Sequence, residues 1–272
     1  MAGVRLEDPT SAGLSTSAEG REGVAHNSGG LIINADDWGR ERETTERTLE
    51  CALRGAISSV SAMVFMRDSE RAAGIALERG INAGLHLNLT THFTGATCSL
   101  ELVRRQGELA RYLLRHRLSQ IVFHPGLRRS FEYVVSAQID EFHQLYGSAP
   151  CRLDGHHHMH LCANVLLGKL IPHGIIVRRN SSFLPGEKSW PNQFYRRTVD
   201  QILARHHRLT DFFFSLVPLD PPARLQRIFS LARQFAVEVE THPANPEEHQ
   251  FLAGGEIFRL AGDVRVARCF AV

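Results

Sequence analysis

The chain has 272 residues, of which 43% are hydrophobic and 22% charged, with a formal net charge of +2 at pH 7. Lys and Arg are scattered rather than run together, which gives no electrostatic support to binding of nucleic acid or of an anionic membrane. No apolar run approaches the ~20 residues that span a bilayer, so an integral membrane segment is excluded from the reading.

Residues 1–29 are rich in Gly, Ser, Ala and Glu, lack periodicity and contain no apolar stretch of the kind a signal peptide needs. They read as a disordered leader, and the protein as cytoplasmic. Five cysteines (Cys51, Cys98, Cys151, Cys162 and Cys269) show no CxxC spacing. That suits reduced thiols better than a disulfide framework or a cysteine zinc site. Residues 30–272 contain no linker and no short repeat, and read as one domain.

From Leu31 onward strand-like and helix-like segments alternate. LIINAD (31–36) is a short apolar run of the kind a buried parallel strand shows. RETTERTLECALRG (42–55) has helical spacing, with Leu49, Ala52 and Leu53 on one face and Gly55 as a stop. ISSVSAMVF (57–65) reads as a strand. DSERAAGIALERG (68–80) reads as a helix capped by Asp68 and ended by Gly80. INAGLHLNL (81–89) is again strand-like, and longer helices are expected between Ser99 and Tyr146. Further strands are expected at 151–155, 174–179, 211–217 and 236–241, with a helix starting near Asp220, where that Asp is read as the cap and is followed by Pro221 and Pro222. About seven β-then-α units define an α/β protein, and the length and unit count favour an irregular (β/α) barrel of parallel strands over an open sheet.

In such folds chemistry gathers at the C-terminal ends of strands, and the polar clusters fall there. Asn34, Asp36 and Asp37 end the first strand, and His86 and Asn88 the third. Asp154 and the cluster from His156 to His160 follow the fourth, Arg178 and Asn180 the fifth, and His242 the last. Adjacent carboxylates at 36 and 37 should diverge, because side chains alternate along an extended chain. One can then bind a metal while the other serves as a base toward substrate. His86 can offer a neutral imidazole to a borderline metal. DGHHHMH puts four histidines into positions 156–160, which packing does not explain. Not all can reach one ion, but a set of two histidines and one aspartate leaves positions open for water, as a catalytic site requires. Proline after His242 aims that imidazole, which suits a proton donor.

Taken together and in order, NADDWG (34–39), GLHLNLT (84–90), LDGHHHMH (153–160) and ETHP (240–243) resemble the YdjC/ChbG-like carbohydrate (chitooligosaccharide) deacetylases. The resemblance implies a barrel-like fold related to the polysaccharide deacetylases, one divalent metal ion (Mg or Zn) and removal of an N-acetyl group from an amino sugar. It implies Asp37, His86 and His156 as metal ligands, Asp36 as base and His242 as acid. Asn34, Asn88, Asp154, His158 and Arg178 become candidates for substrate contact, and Trp38, where the family usually has Phe, for an aromatic wall beside it. Ala244 replaces the Gly that commonly follows the HP pair. A homodimer is common in such enzymes. A metal-dependent phosphoesterase, for which Arg178 and Arg179 are the suggestive pair, and a noncatalytic metal- or sugar-binding protein are the competing readings.

Overall fold

The structure is a computed structural model that describes residues 29–182, 190–268 and 270. All of the expected leader except Gly29 lies outside the described residues. Seven strands are present among them: β1 (Gly30–Trp38), β2 (Ser59–Ala62), β3 (Ala83–Leu87), β4 (Arg152–Gly155), β5 (Ile176–Val177), β6 (Phe212–Ser215) and β7 (Ala236–Thr241). They form one sheet in the order β5-β4-β3-β2-β1-β7-β6. Every pairing is parallel. The sheet curls until its edges meet. Val177 N–H donates to the Arg208 carbonyl at 2.9 Å, just before β6, and Ile176 bridges Arg208. The result is the irregular (β/α) barrel that the alternation of elements suggested.

Helices cover the convex side. They are α1 (Arg42–Leu53), α2 (Ser69–Arg79), α3 (Leu100–Arg115), α4 (Arg128–Tyr146), α5 (Ala163–Leu167), α6 (Trp190–Ala204), α7 (Pro222–Leu231), α8 (Pro246–Ala253) and α9 (Glu256–Ala261). No helix among the described residues is long and apolar enough to cross a membrane.

Strand parity divides the molecule into two environments. Leu31, Ile33 and Ala35 of β1, Val60 and Ala62 of β2, Leu85 and Leu87 of β3, and Val237 and Val239 of β7 join one apolar cluster with helix residues such as Phe131, Val134, Ile228 and Leu252. The opposite parity carries Asn34, Asp36, Ser59, Ser61, His86, Arg152, Asp154, Glu238 and Glu240, all buried. Parallel strands covered on both faces usually read as continuous apolar runs; here the concave face is ionic.

The helix readings need three corrections. On α1 the buried positions are Thr44, Thr45, Thr48 and Cys51, while Leu53 is 64% exposed. Small side chains at i, i+4 and i+7 let the helix lie close to the sheet, and the larger apolar residues fall to its flank. Asp68 occupies the cap position of α2 but bonds Arg71 at 2.7 and 2.8 Å instead of a backbone N–H. The helix near residue 220 starts at Pro222, with Pro221 rather than Asp220 in the cap position.

One glycine makes room for the ionic face. A Cβ on Gly84 would lie 2.7 Å from the Arg152 guanidinium carbon. That guanidinium is pinned by Ser61, Asp154 and the Val60 carbonyl, so it cannot simply swing away. Gly84→Ala should therefore destabilise the protein by about 1–3 kcal/mol. Thermal melting should show a Tm loss of about 2–4 °C per kcal/mol; an unchanged Tm would mean the guanidinium is not confined.

Candidate metal centre

The mouth of the barrel is shaped first by an irregularity in β1. Asn34 pairs with Ser59 and Ala35 with Val60, but Trp38 then pairs with Ala62, so β1 spends one residue more than β2. Within this bulge Asp37 has φ 65°, a left-handed conformation that costs an ordinary residue ~1–2 kcal/mol. Strict alternation would separate the two carboxylates. The bulge and turn instead bring both to His86, whose Nε2 lies 3.4 Å from Asp37 Oδ1 and 4.0 Å from Asp36 Oδ2.

His156, at the start of the 3-10 turn after β4, places its Nδ1 2.9 Å from the same Asp37 oxygen. The three candidate ligands thus converge, with their donor atoms within 4.8 Å of one another. Asp37 Oδ1 is buried and makes no well-aligned hydrogen bond although two ring nitrogens face it. One carboxylate oxygen and two imidazole nitrogens about a small volume fit a divalent cation. His86 Nδ1 lies 2.7 Å from Asp154 Oδ1, the carboxylate–histidine pairing that fixes the tautomer of a metal-ligating histidine and would turn Nε2 toward an ion held here. Burial alone would depress His86, yet Asp36, Asp154 and Asp37 raise it to about 10. Burial would raise Asp37, but His156 and His86 hold its carboxyl far below the usual range.

Asp36, His86 and Asp154 also converge. Their two carboxylates are already occupied by Arg178, which grips Asp36 through two bonds of 2.6 and 2.7 Å and lies 3.1 Å from Asp154. Arg178 further donates to Glu238 at 2.7 Å and Glu240 at 3.2 Å. Burial opposes ionisation of Asp36, but Arg178 and then His86 keep its carboxyl below the ordinary range. Asn34 adds a bond of 2.8 Å to Asp36 Oδ1.

Several residues expected to touch substrate are instead internal. Asn34, Asn88 and Asp154 are 0% exposed and Arg178 1%. All four bond to protein groups: Asn34 to Ser59, Ser61 and Asp36, and Asn88 to the Thr91 carbonyl. Trp38 is also 0% exposed and belongs to the apolar cluster, so it forms no wall beside the mouth. Beyond the bulge its ring falls on the helix side, where the large aromatic surface is better buried. Only His158 of this group keeps an exposed side chain, 3.7 Å from Glu240. Arg179 is held by Asp200 at 2.9 Å, so neither arginine of the phosphoesterase reading is placed to bind phosphate. His242 follows Thr241, which pairs with Ala35, and so stands on the rim beside Asp36. Its ring is partly exposed, and its backbone N–H donates to Glu248 at 2.9 Å.

Residues that sequence reading passed over include Ser59, Ser61, Arg152, Glu238 and Glu240. The available signal was a period of two: SVS, RLD and EVE each alternate polar and apolar residues in segments too short and too central to face solvent.

A family model described as "YdjC-like protein" matches residues 30–263, and the chain belongs to that family. It is 33% identical over 136 residues to a chitooligosaccharide deacetylase of Serratia marcescens, covering 48% of this chain and 50% of the relative. It is 31% identical over 140 residues to a carbohydrate deacetylase of Mus musculus, covering 50% and 44% respectively. The chain thus spans about half the length of these curated relatives. A solved structure of an Enterococcus faecalis V583 protein assigned to cellobiose-phosphate cleavage superposes with TM-score 0.61 at 18% identity. It covers 88% of this chain and 96% of that one, which shows a shared fold.

Two outcomes follow from the geometry. Asp154→Asn weakens the hold on His86 Nδ1, and metal affinity measured by competitive titration should fall ~10–100-fold, with circular dichroism confirming the fold. Burial raises Glu240 to about 7, against the pull of Arg178 and with help from Asp36. Between its ordinary 4.5 and about 7 the folded protein holds a proton that the unfolded chain has released, so stability falls as pH rises through that window. Glu240→Gln removes this loss. In EDTA the variant should melt higher than the parent above about pH 7 and lose that advantage below about pH 4.5.

Proposed function

We propose that the protein is a metal-dependent hydrolase that removes the N-acetyl group from an amino sugar or a related N-acetylated carbohydrate. The observation that carries this reading is the single oxygen of Asp37 faced by His86 and His156, with Asp36 fixed beside it by Arg178. The curated relatives are described as carbohydrate and chitooligosaccharide deacetylases, which supports the same chemistry.

Asp37, His86 and His156 would hold the ion. Two nitrogens and one oxygen suit zinc and other first-row ions; magnesium usually takes more oxygen. When bound, such an ion polarises the amide carbonyl and acidifies water. Asp36 receives the proton of the attacking water. The Arg178 clamp keeps it ionised at neutral pH, and the bonds from Asn34 and Arg178 fix its orientation. His242 donates a proton to the leaving nitrogen, because an amine departs poorly without one. Asp154 keeps the His86 ring from turning. We further propose that the protein acts in the cytoplasm, a reading supported by the free thiols of Cys51, Cys98, Cys151 and Cys162.

The test is acetate release from N-acetylglucosamine and its short oligomers, with chelator and with metal restored. Turnover should disappear with chelator and return with the ion. Asp36→Asn should lower kcat by ~10²–10⁴ while one equivalent of metal still binds. Loss of metal in that variant would make Asp36 a ligand and refute its role as base.

A further inference from the structure

A second group of histidines lies at the other end of the barrel from the candidate metal centre. His173 stands just before β5, at the N-terminal end of that strand, and His206 and His207 lie between α6 and β6. The ring centroids are 4.8 Å apart for His173 and His206, 6.1 Å for His173 and His207, and 6.4 Å for His206 and His207. The three line a cavity of about 30 Å³, together with apolar side chains such as Val165, Ile171 and Leu203. Nothing in the proposed mechanism uses them.

We infer that His173, His206 and His207 form a second metal site, for a zinc-like divalent ion, and that the ion staples the seam at which the barrel closes. Imidazoles that share one ion at ~2.0–2.1 Å stand with their centres roughly 4.5–6.5 Å apart, and all three spacings fall in that range. Imidazole donors suit zinc, copper and nickel. The cavity matches the ~30 Å³ that one water molecule occupies in the liquid, which leaves room for an ion and none for an organic ligand. His207 Nδ1 is buried without a hydrogen-bond partner, a polar atom that calls for one. Burial, and then the neighbouring His173 and His206, push His207 below its ordinary value, which favours the neutral imidazole a metal requires. Among the described residues no carboxylate lines the cavity to account for the clustering. Lys169 does line it, but this exposed side chain can keep its ammonium in water. As they stand, the rings do not bring three nitrogens within 4.8 Å of one another. His173 and His206 are exposed, however, and exposed side chains turn within nanoseconds.

The seam is where such an ion acts. β5 is two residues long. It meets the segment before β6 through Gly174 N–H to the His206 carbonyl at 2.9 Å, Arg208 N–H to the Ile175 carbonyl at 3.1 Å and Val177 N–H to the Arg208 carbonyl at 2.9 Å. His173 stands on one side of this seam, and His206 and His207 on the other. An ion held by both sides adds its binding free energy to closure of the barrel. The site is independent of the deacetylase reading.

The experiment counts the zinc bound by EDTA-stripped wild type and by the double variant His173→Ala/His206→Ala, in competition with a chromophoric chelator. The variant should hold one equivalent fewer than wild type, whether or not the mouth of the barrel holds an ion. Zinc at ~100 times the Kd of this site should also raise the wild-type Tm about 5–10 °C further than it raises that of the variant. Equal zinc counts overturn the site, as does an extra equivalent bound with a Kd of ~1 mM or weaker. If the variant does not fold, wild type alone decides. Zinc should then shift the ring-proton resonances of His206 and His207, and unmoved resonances overturn the site.

Discussion

The arrangement depends on one buried guanidinium. Arg178 stands just past β5, yet it reaches Asp36 on β1, Asp154 on β4, and Glu238 and Glu240 on β7. β4 adjoins β5, but β1 and β7 lie four and five places from it in the order of the sheet, so only a curled sheet lets one side chain touch them all. The Phe213 ring packs against the same guanidinium, 4.8 Å from its centre. Four carboxylates share this one cation, so removing the guanidinium would leave uncompensated buried charge, which typically costs ~3–5 kcal/mol. An apolar filling of equal volume would often be as stable or more so. The ionic interior is therefore better understood through what it positions than through stability. It fixes the direction and charge of Asp36 and leaves Asp37 to face the imidazoles.

The two parities of the strands separate the residues that hold the fold together from those that line the candidate site. Except for Thr241 at the end of β7, outward-facing residues of the central strands are apolar and packed under helices, which is where burial of apolar surface stabilises the fold. Inward-facing residues are free of that duty and can be charged. The sheet can carry a dense polar lining because each group finds a partner across the concave side. Asp154 shows how tightly these roles are joined. It accepts from Ser61 at 2.5 Å and from Arg152 at 2.7 Å through one oxygen, while the other holds His86.

Much of this was legible in the sequence, for a reason that also explains what was not. The strands at 31–36 and 236–241 and the ligand candidates Asp37, His86 and His156 stand out because strand ends in a parallel barrel lie at one mouth. That inference needs only segment positions. The bulge in β1 was not legible, since the alternation rule assumes an unbroken ladder and predicts diverging carboxylates. The same bulge displaced Trp38 from the mouth into the apolar layer. Arg178 looked like a substrate contact because a strand-end arginine carries no mark of the four carboxylates it will meet from distant segments. On α1 the stripe was misassigned because threonine counts as polar by composition but packs well where its hydroxyl can bond a backbone carbonyl, as Thr45 does to Glu41.

The histidine-rich turn ties these elements into one device. Its four imidazoles have four different partners. His156 faces Asp37, His157 contacts Thr90 at 3.1 Å, His158 faces Glu240, and His160 Nε2 lies 2.9 Å from the Arg178 carbonyl. A regular helix would have stacked residues four apart on one side. The left-handed conformations at His157 and His158 break that pattern and let the four rings meet four different partners. A candidate ligand and the backbone of the arginine that clamps the candidate base are thereby held by a single short turn. Gly155 permits it, since a Cβ there would lie 2.9 Å from the His160 backbone nitrogen. Position of the candidate metal centre and orientation of Asp36 cannot then vary independently, as the proposed reaction, with water, ion and base in fixed relation, would demand.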